Sequence, residues 1–223
     1  MQKIVRQNES ESRNKRYSAT IDKNICEQLE KEVRRINMTV EEKIYEEVKR
    51  RCELPSNAYG IGAWDHHIKI VYELAKKNAS EYGANQEIVS LAALLHDVAS
   101  VTDVTYTEEH HIIGAKIAEE LLLQENYPIE KIEQIKKCIL NHRGSRLASK
   151  NSPEEICIAD SDAMAHFYSI PSLLSMVYRE KNLSIDEGSK FVMEKLERSY
   201  NKMSVKGKKL VKNQYESAKN ILT

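Results

Sequence analysis

The histidine residues of this chain all lie between positions 66 and 166. Neither flanking region contains one, and the seven occupy these positions: His66, His67, His96, His110, His111, His142 and His166. Histidine is the commonest metal ligand in proteins and the side chain that most readily exchanges a proton near neutral pH. The clustering is therefore typical of a metal or acid–base site, although clustering alone does not separate such a site from histidines with structural roles.

An adjacent imidazole and carboxylate, His96 and Asp97, end the mainly apolar run Ile88–Leu95. A helix that is apolar on most faces is buried, so this pair is expected in the protein interior. Burying two polar groups is costly unless a partner compensates them. A metal ion compensates both, because it binds an imidazole nitrogen and a carboxylate oxygen together. The alternative is that the pair caps the helix and bonds to local backbone.

Two further stretches place metal-binding types of side chain within apolar helical patterns. Upstream, His67 falls on the apolar side of segment 64–71, and downstream, the apolar segment 156–167 contains Asp160 and Asp162. Residues two apart on a helix point about 200° apart, so only one of these carboxylates can face a shared site. The overall pattern is His, then His-Asp, then Asp, on three separate helical segments.

This order resembles that of the HD-domain metal-dependent phosphohydrolase superfamily, which includes nucleotide phosphohydrolases, alarmone hydrolases and cyclic-dinucleotide phosphodiesterases. The phrases that carry the resemblance are His67-x-x-x-Val71, Leu91-Ala-Ala-Leu-Leu-His-Asp-Val98, His110-x-x-x-Gly-Ala115, Asn141-His-Arg143 and Asp160-Ser-Asp-Ala163. The resemblance extends from about residue 60 to about residue 221 and does not cover residues 1–55.

The resemblance implies a metal centre with four protein ligands. These are His67, His96, Asp97 and Asp162. Asp162 is preferred over Asp160 because the residues after it, Ala-Met-Ala-His-Phe, match the family pattern best. A set of two histidines and two aspartates suits one divalent ion of Mn, Fe, Zn, Mg, Ni or Co.

Three more residues have roles that the resemblance leaves open. Positions similar to His110 and His142 hold a second metal ion in the binuclear branches of the superfamily, and elsewhere they face the phosphate. Arg143 is a candidate substrate-binding residue, because its planar guanidinium can pair with a phosphate, although an exposed arginine near a helix end is also ordinary. Ser100 stands where relatives often have a lysine, which removes one candidate phosphate-binding cation.

The implied function is hydrolysis of a small phosphate ester or anhydride, such as a nucleotide, by attack of a metal-activated water. Asp97 would bind the metal and orient the water, and His142 or His110 would protonate the leaving oxygen. One alternative is a non-hydrolytic metal- or nucleotide-binding regulatory module. Another is a di-iron oxygenase on the same scaffold, as in the inositol oxygenase-like relatives.

The pattern of the whole chain predicts an all-α helical bundle of the HD-domain type with an N-terminal helical arm. Gly and Pro are few, at 7 and 4 of 223 residues, and no segment alternates with period two. Helices are predicted over about 20–36, 39–54, 65–81, 86–98, 108–124, 129–142, 153–168, 186–202 and 204–221. The strongest break is the loop at 55–62. It separates an arm at 1–55, expected to cover the site or to mediate homodimerisation, from a metal-dependent hydrolase domain at 56–223.

Composition argues against two classes of partner. Lys plus Arg and Asp plus Glu both number 34, so the chain lacks the positive excess that polymeric nucleic acid or a membrane surface requires. It has no apolar run of the roughly 20 residues that span a bilayer, and its first 18 residues are polar. No two of its four cysteines form a Cys-x-x-Cys pair. We therefore expect a cytoplasmic protein with reduced thiols.

Overall fold

A computed structural model describes the chain at residues 25–26, 28–30, 32–60, 62–143 and 151–222. The contacts divide the chain into two units, Met1–Lys43 and Ile44–Thr223. The described residues form helices and turns with no strand among them, which confirms the predicted all-α class. The predicted boundary at residues 55–56 stays a prediction.

In the first unit, the described residues between 25 and 36 are helical, and a helix labelled α1, Val40–Cys52, begins near the end of this unit. A capping box is present at the start of α1. Thr39 Oγ1 accepts a hydrogen bond from the Glu42 N–H at 3.2 Å, and Glu42 Oε2 accepts one from the Thr39 N–H at 2.7 Å.

The described residues of the second unit contain nine further α-helices. They are α2 (Lys69–Tyr82), α3 (Gln86–Leu95), α4 (Val98–Thr102), α5 (His110–Gln124), α6 (Ile129–Asn141), α7 (Pro153–Tyr168), α8 (Ile170–Arg179), α9 (Ile185–Lys202) and α10 (Val205–Leu222). A π-helical turn, Trp64–Ile68, leads directly into α2, and a short 3₁₀ turn covers Val104–Tyr106.

Local sequence chemistry sets the ends of the helices that carry the site. The Asn85 side chain accepts hydrogen bonds from backbone N–H groups in the first turn of α3, and Ser152 does the same for α7. Pro153 occupies the first helical position of α7, where its missing N–H costs nothing. Gly83 ends α2 in the left-handed conformation at φ 69°.

Helix α3 lies at the centre of the second unit, and every residue from Ile88 to Leu95 is buried. Helices α2, α6 and α7 pack against it. Helix α7 is itself buried along most of its length and packs against α2, α9 and α10. Polar side chains at the end of α3 or within α7 are therefore in the interior, where they must find partners.

The helix predicted over about 86–98 is wrong at its C-terminal end, since α3 stops immediately before His96 and the chain restarts as α4. The backbone of Asp97 leaves the helical region at φ −111° and ψ 16°. The His96 Nδ1–H donates to the Ala93 carbonyl oxygen at 2.7 Å and so satisfies an acceptor at the helix end. The apolar residues that follow hide this break in the sequence.

Two further findings concern the cysteines and membrane-spanning helices. Three of the four cysteines, Cys52, Cys138 and Cys157, are buried free thiols. Within the part of the chain that the structure describes, no helix combines the length and apolar character needed to cross a membrane.

Candidate metal centre

Six side chains from separate elements of the second unit converge on one place. His67 lies on the π-helical turn, His96 and Asp97 at the junction of α3 and α4, and Asp162 in the middle of α7. The other two are His110 at the start of α5 and His142 directly after α6. The structure thus brings together all four predicted ligands and both additional histidines.

The first group of ligand atoms comes from His67, His96 and Asp162, which lie within 4.8 Å of one another. His67 Nε2 is 3.2 Å from His96 Nε2 and 3.5 Å from Asp162 Oδ1. The π-helical turn directs His67 inward while its neighbour His66 is exposed. We call this group the first triad.

The second group comes from His110, His142 and Asp97, again within 4.8 Å of one another and all buried. The Nε2 atoms of His110 and His142 are 3.2 Å apart, and they lie 3.4 and 3.7 Å from Asp97 Oδ1. We call this group the second triad.

Asp97 connects the two triads. Its Oδ1 faces the second triad, while its Oδ2 lies 3.3 Å from His67 Nε2 and 3.4 Å from His96 Nε2. One carboxylate therefore presents one oxygen to each pair of imidazoles and could serve as a ligand to a cation in either triad.

Backbone carbonyls fix the imidazoles so that their Nε2 atoms point at the centre. The Nδ1 atoms of His96, His110 and His142 lie 2.7, 2.7 and 2.6 Å from the carbonyl oxygens three residues earlier. Because a carbonyl only accepts hydrogen bonds, each Nδ1 carries a proton, and whenever the ring is neutral its Nε2 carries the lone pair that a metal would bind. Orienting contacts of this kind are usual for metal-binding histidines.

These contacts test whether the residues fit a metal. In neutral His110 and His142, two lone pairs would face each other at 3.2 Å, an arrangement that a metal ion between them, or a proton on one ring, would relieve. Imidazole nitrogens and carboxylate oxygens are ligands that divalent transition metals accept together. Each triad therefore fits a divalent ion in its donor chemistry.

The two candidate carboxylates of α7 have different environments. Asp162 Oδ1 belongs to the first triad, and its Oδ2 lies 3.3 Å from Lys202 Nζ. Asp160 instead accepts hydrogen bonds from the Tyr82 hydroxyl at 2.8 Å, from the Ser204 backbone N–H at 3.0 Å and from the Ser204 hydroxyl. Asp160 thus joins α7 to α2 and to the start of α10, away from the triads.

The electrostatics of the two triads differ. Burial lowers the pKa of His96, but the charge and hydrogen bond of Asp97 outweigh this effect and raise the pKa to about 9. Burial lowers the pKa of His142 to about 4, with the charge of His96 acting in the same direction. Burial opposes ionisation of Asp162, yet Lys202 and the nearby histidines hold its pKa far below the usual range. Without a metal, a proton occupies the first triad but not His142.

A pocket of about 560 Å³ opens onto the centre. Its wall includes Tyr59 from the loop before the π-helical turn and His166, whose ring stacks on His67 with centroids 5.7 Å apart. The predicted Arg143 also lines the pocket, although its guanidinium donates to the Glu108 carbonyl oxygen at 2.8 Å.

Sequence reasoning missed the cations that α9 contributes to this pocket. Lys195, Arg198 and Lys202 all line it, and their spacing of three and four residues places them on one face of the helix. That spacing is the one feature of the sequence that could have indicated a cationic pocket wall. The same spacing is equally typical of a solvent-exposed helix face, so it does not identify the pocket.

Comparison with known proteins agrees with this geometry. Residues 64–166 match the family model described as HD domain, and all six side chains of the centre lie within that range. This segment is an HD domain. The match confirms, over this segment, the predicted resemblance to the HD-domain superfamily.

Two curated relatives are both named Ribonuclease Y. The protein from Petrotoga mobilis is 32% identical over 108 residues, which are 48% of this chain and 19% of that protein. The protein from Chloroflexus aurantiacus is 39% identical over 64 residues, which are 29% of this chain and 12% of that protein. The matches thus span about a fifth or less of the length of these relatives. No solved structure matches the chain significantly.

Proposed function

We propose that this HD-domain protein is a metal-dependent phosphohydrolase that acts on a small phosphate ester or anhydride, with a nucleotide as the first candidate. The observation that carries the proposal is the position of Asp97, which presents one carboxylate oxygen to each of two histidine pairs. Two-ion centres of this kind are used to displace groups at phosphorus.

The residues assigned to the ions follow from the distances. His67, His96, Asp162 and Asp97 Oδ2 would hold one ion, and His110, His142 and Asp97 Oδ1 the other. When bound, such ions polarise a phosphoryl oxygen and lower the pKa of a water molecule. We assign His110 and His142 to metal binding rather than to proton donation, because their Nδ1 protons are held by carbonyls and their Nε2 atoms face Asp97.

Other side chains of the chain support the centre and receive the substrate. Lys202 contacts Asp162 Oδ2 and keeps that carboxylate ionised and oriented toward His67. Arg143 also lines the pocket and supplies positive charge suited to a phosphate. In this proposal, the pocket beside the metal centre binds the phosphoryl group and orients it.

The name of the two relatives suggests RNA as another substrate. Their matched segments are short parts of much longer proteins, so the shared region supports phosphate ester hydrolysis more than a particular polymer. The balanced charge of this chain favours a small substrate. A short RNA nevertheless belongs in the test.

A second candidate function is oxygenation by a di-iron centre, and the second triad is the observation that favours it. Two histidines with one carboxylate suit iron as well as zinc or manganese. The cationic face of α9 favours the hydrolase, because an oxygenase has no general need for phosphate binding. A purely regulatory role is less well supported, since both ligand sets are complete.

The test is a product screen on protein reconstituted separately with Mn²⁺, Co²⁺, Zn²⁺ and Fe²⁺. Nucleoside mono-, di- and triphosphates, p-nitrophenyl phosphate, a cyclic dinucleotide and a short RNA are supplied, and phosphate and nucleotide products are measured. We expect metal-dependent hydrolysis of at least one small ester that is abolished in Asp97→Ala. Oxygen consumption with Fe²⁺ alone, and no hydrolysis with any metal, would overturn the proposal in favour of the oxygenase.

A further inference from the structure

The pocket wall provided by α9 extends well beyond the metal centre. Lys202 lies at its inner end, since Lys202 Nζ is 3.3 Å from Asp162 Oδ2. His166 Nδ1 lies 2.9 Å from Ser199 Oγ, so α9 and α7 run antiparallel and residues earlier in α9 lie progressively farther from Asp162. With a rise of about 1.5 Å per residue, Arg198 and Lys195 follow at about 6 and 10 Å along the helix from Lys202.

The two outer cations have no ion-pair or hydrogen-bond partner among the residues that the structure describes. Among the described residues, Lys195 and Arg198 make no ion pair or hydrogen bond, in contrast to Lys202. Lys195 is nevertheless partly buried. Burial lowers the pKa of Lys195; the charge of Asp162 raises it, but the charges of Lys202 and Arg198 lower it further, so a bound anion would stabilise the charged form of Lys195.

The pocket is lined by more cationic than anionic side chains. Five cations line it: Arg143, Lys181, Lys195, Arg198 and Lys202. Apart from the metal-facing Asp97 and Asp162, Glu180 is the one carboxylate among the described lining residues. Because Lys202 pairs with Asp162, the other four cations face one carboxylate, Glu180, among the described lining residues outside the metal centre, which leaves positive charge available for a further anion.

We propose that Lys195 and Arg198 form a second anion subsite, which binds another phosphate of the same substrate, one to two helical turns from the phosphate that is hydrolysed. The inference rests on the proposed function, because the hydrolysed phosphate is what places the substrate at the metal centre. The preferred substrate class is then a small ester with two separated phosphates, such as a nucleoside bisphosphate, rather than a simple monoester.

The experiment compares two ligands that differ by one phosphate, adenosine 5′-monophosphate and adenosine 3′,5′-bisphosphate. Their binding to the metal-loaded protein is measured by calorimetry, and hydrolysis of both is followed in parallel. Wild-type protein is compared with Lys195→Met, Arg198→Met and Lys190→Met. Lys190 is the matched control, because it is an exposed lysine of α9 that does not line the pocket.

We expect the bisphosphate to bind about 10- to 100-fold more tightly than the monophosphate, as a charge-assisted contact allows. Lys195→Met and Arg198→Met should each remove most of this preference while leaving monophosphate binding within about threefold of wild type. Lys190→Met should retain the preference.

Equal affinity of the wild type for the two ligands, or the same preference in all three variants, would overturn the subsite. Circular dichroism establishes that each variant is folded, and Arg198 is exposed, so its replacement is not expected to disturb packing. Loss of all hydrolysis with the binding preference intact would refute the proposed hydrolase activity and still support the anion subsite.

Discussion

The two triads of the metal centre share one carboxylate but differ in how they are enclosed and protonated. In the first triad, His67 is partly exposed, Lys202 contacts Asp162, and the pKa of His96 is raised to about 9. In the second triad, all three residues are buried and the pKa of His142 is lowered to about 4. The carboxylates of Asp97 and Asp162 thus hold a proton on the first triad, whereas burial keeps His142 neutral.

The difference predicts that the two triads, although similar in composition, would bind metal with different release of protons. An ion bound by the first triad would have to replace the proton of His96, whereas His142 in the second triad is already neutral. The predictions below use this contrast.

The largest effect on metal content and hydrolysis is expected from replacing Asp97, which the two triads share. Asp97→Ala removes a ligand of both ions, so we expect metal content to fall from about two ions per chain to nearly none. Hydrolysis should fall by about 10³-fold or more, because the charge stabilisation supplied by the ions is lost. Elemental analysis and phosphate release measure the two effects. Asp65→Ala, at an exposed aspartate of the π-helical turn, is the control and should change neither.

Single-triad variants should separate the two ions. His96→Ala and His142→Ala should each reduce metal content from about two ions to about one, and each should lower turnover by at least about 10²-fold. Replacement of the exposed neighbour His66 by alanine is the control. If His142→Ala keeps the full metal content but loses turnover, His142 is a proton donor, and the assignment of the second triad is wrong.

Two aspartates on one helix provide the next comparison. Asp162→Asn should weaken metal binding by the first triad by about 10- to 100-fold with little loss of fold. Asp160→Asn should leave metal content unchanged and lower the free energy of unfolding by about 1–3 kcal/mol, because its hydrogen bonds to Tyr82 and Ser204 are disturbed. Metal titration and urea unfolding of the two variants measure these effects. Loss of metal in Asp160→Asn alone would reverse the ligand assignment.

The smallest effect is the pH dependence of the metal-free protein. His96 gains a proton more readily in the folded state, so its stabilisation is complete below pH 6.5 and is lost as pH rises toward about 9. His142 resists protonation in the folded state, so stability falls as pH drops from 6.5 toward about 4. Thermal unfolding should therefore be most resistant near pH 6.5. His96→Gln should flatten the alkaline side of the profile, and His142→Gln should reduce the loss of stability on the acidic side, to which His166, with its pKa lowered to about 3, also contributes. An unchanged profile in both variants would contradict the difference between the two triads.

Much of this centre could be predicted from the sequence because its chemistry is local. His96-Asp97 at the end of an apolar run, and a carboxylate within the apolar helix around Asp162, are polar groups that burial makes costly. The two-residue spacing of Asp160 and Asp162 also limited the choice to one of them. These features depend only on helical periodicity and on the cost of burying charge.

The remaining features depend on how distant helices pack. The bridging position of Asp97 requires the chain to leave the helix after His96, and the apolar residues after it gave no sign of that break. Lys195 and Arg198 lie about 100 residues from the His-Asp pair, and only the packing of α9 on α7 turns them toward the pocket. No periodicity in one segment specifies its orientation against another.

The central claim is that Asp97 bridges two metal ions, and electron paramagnetic resonance of the Mn²⁺-loaded protein tests it most directly. Two Mn²⁺ ions joined by one carboxylate are magnetically coupled, so the account predicts the spectrum of a coupled pair at two ions per chain. The His142→Ala variant, in which only the first triad should bind Mn²⁺, should instead give the six-line spectrum of an isolated ion. An isolated-ion spectrum from the fully loaded wild-type protein would contradict the bridge and leave a centre with one metal.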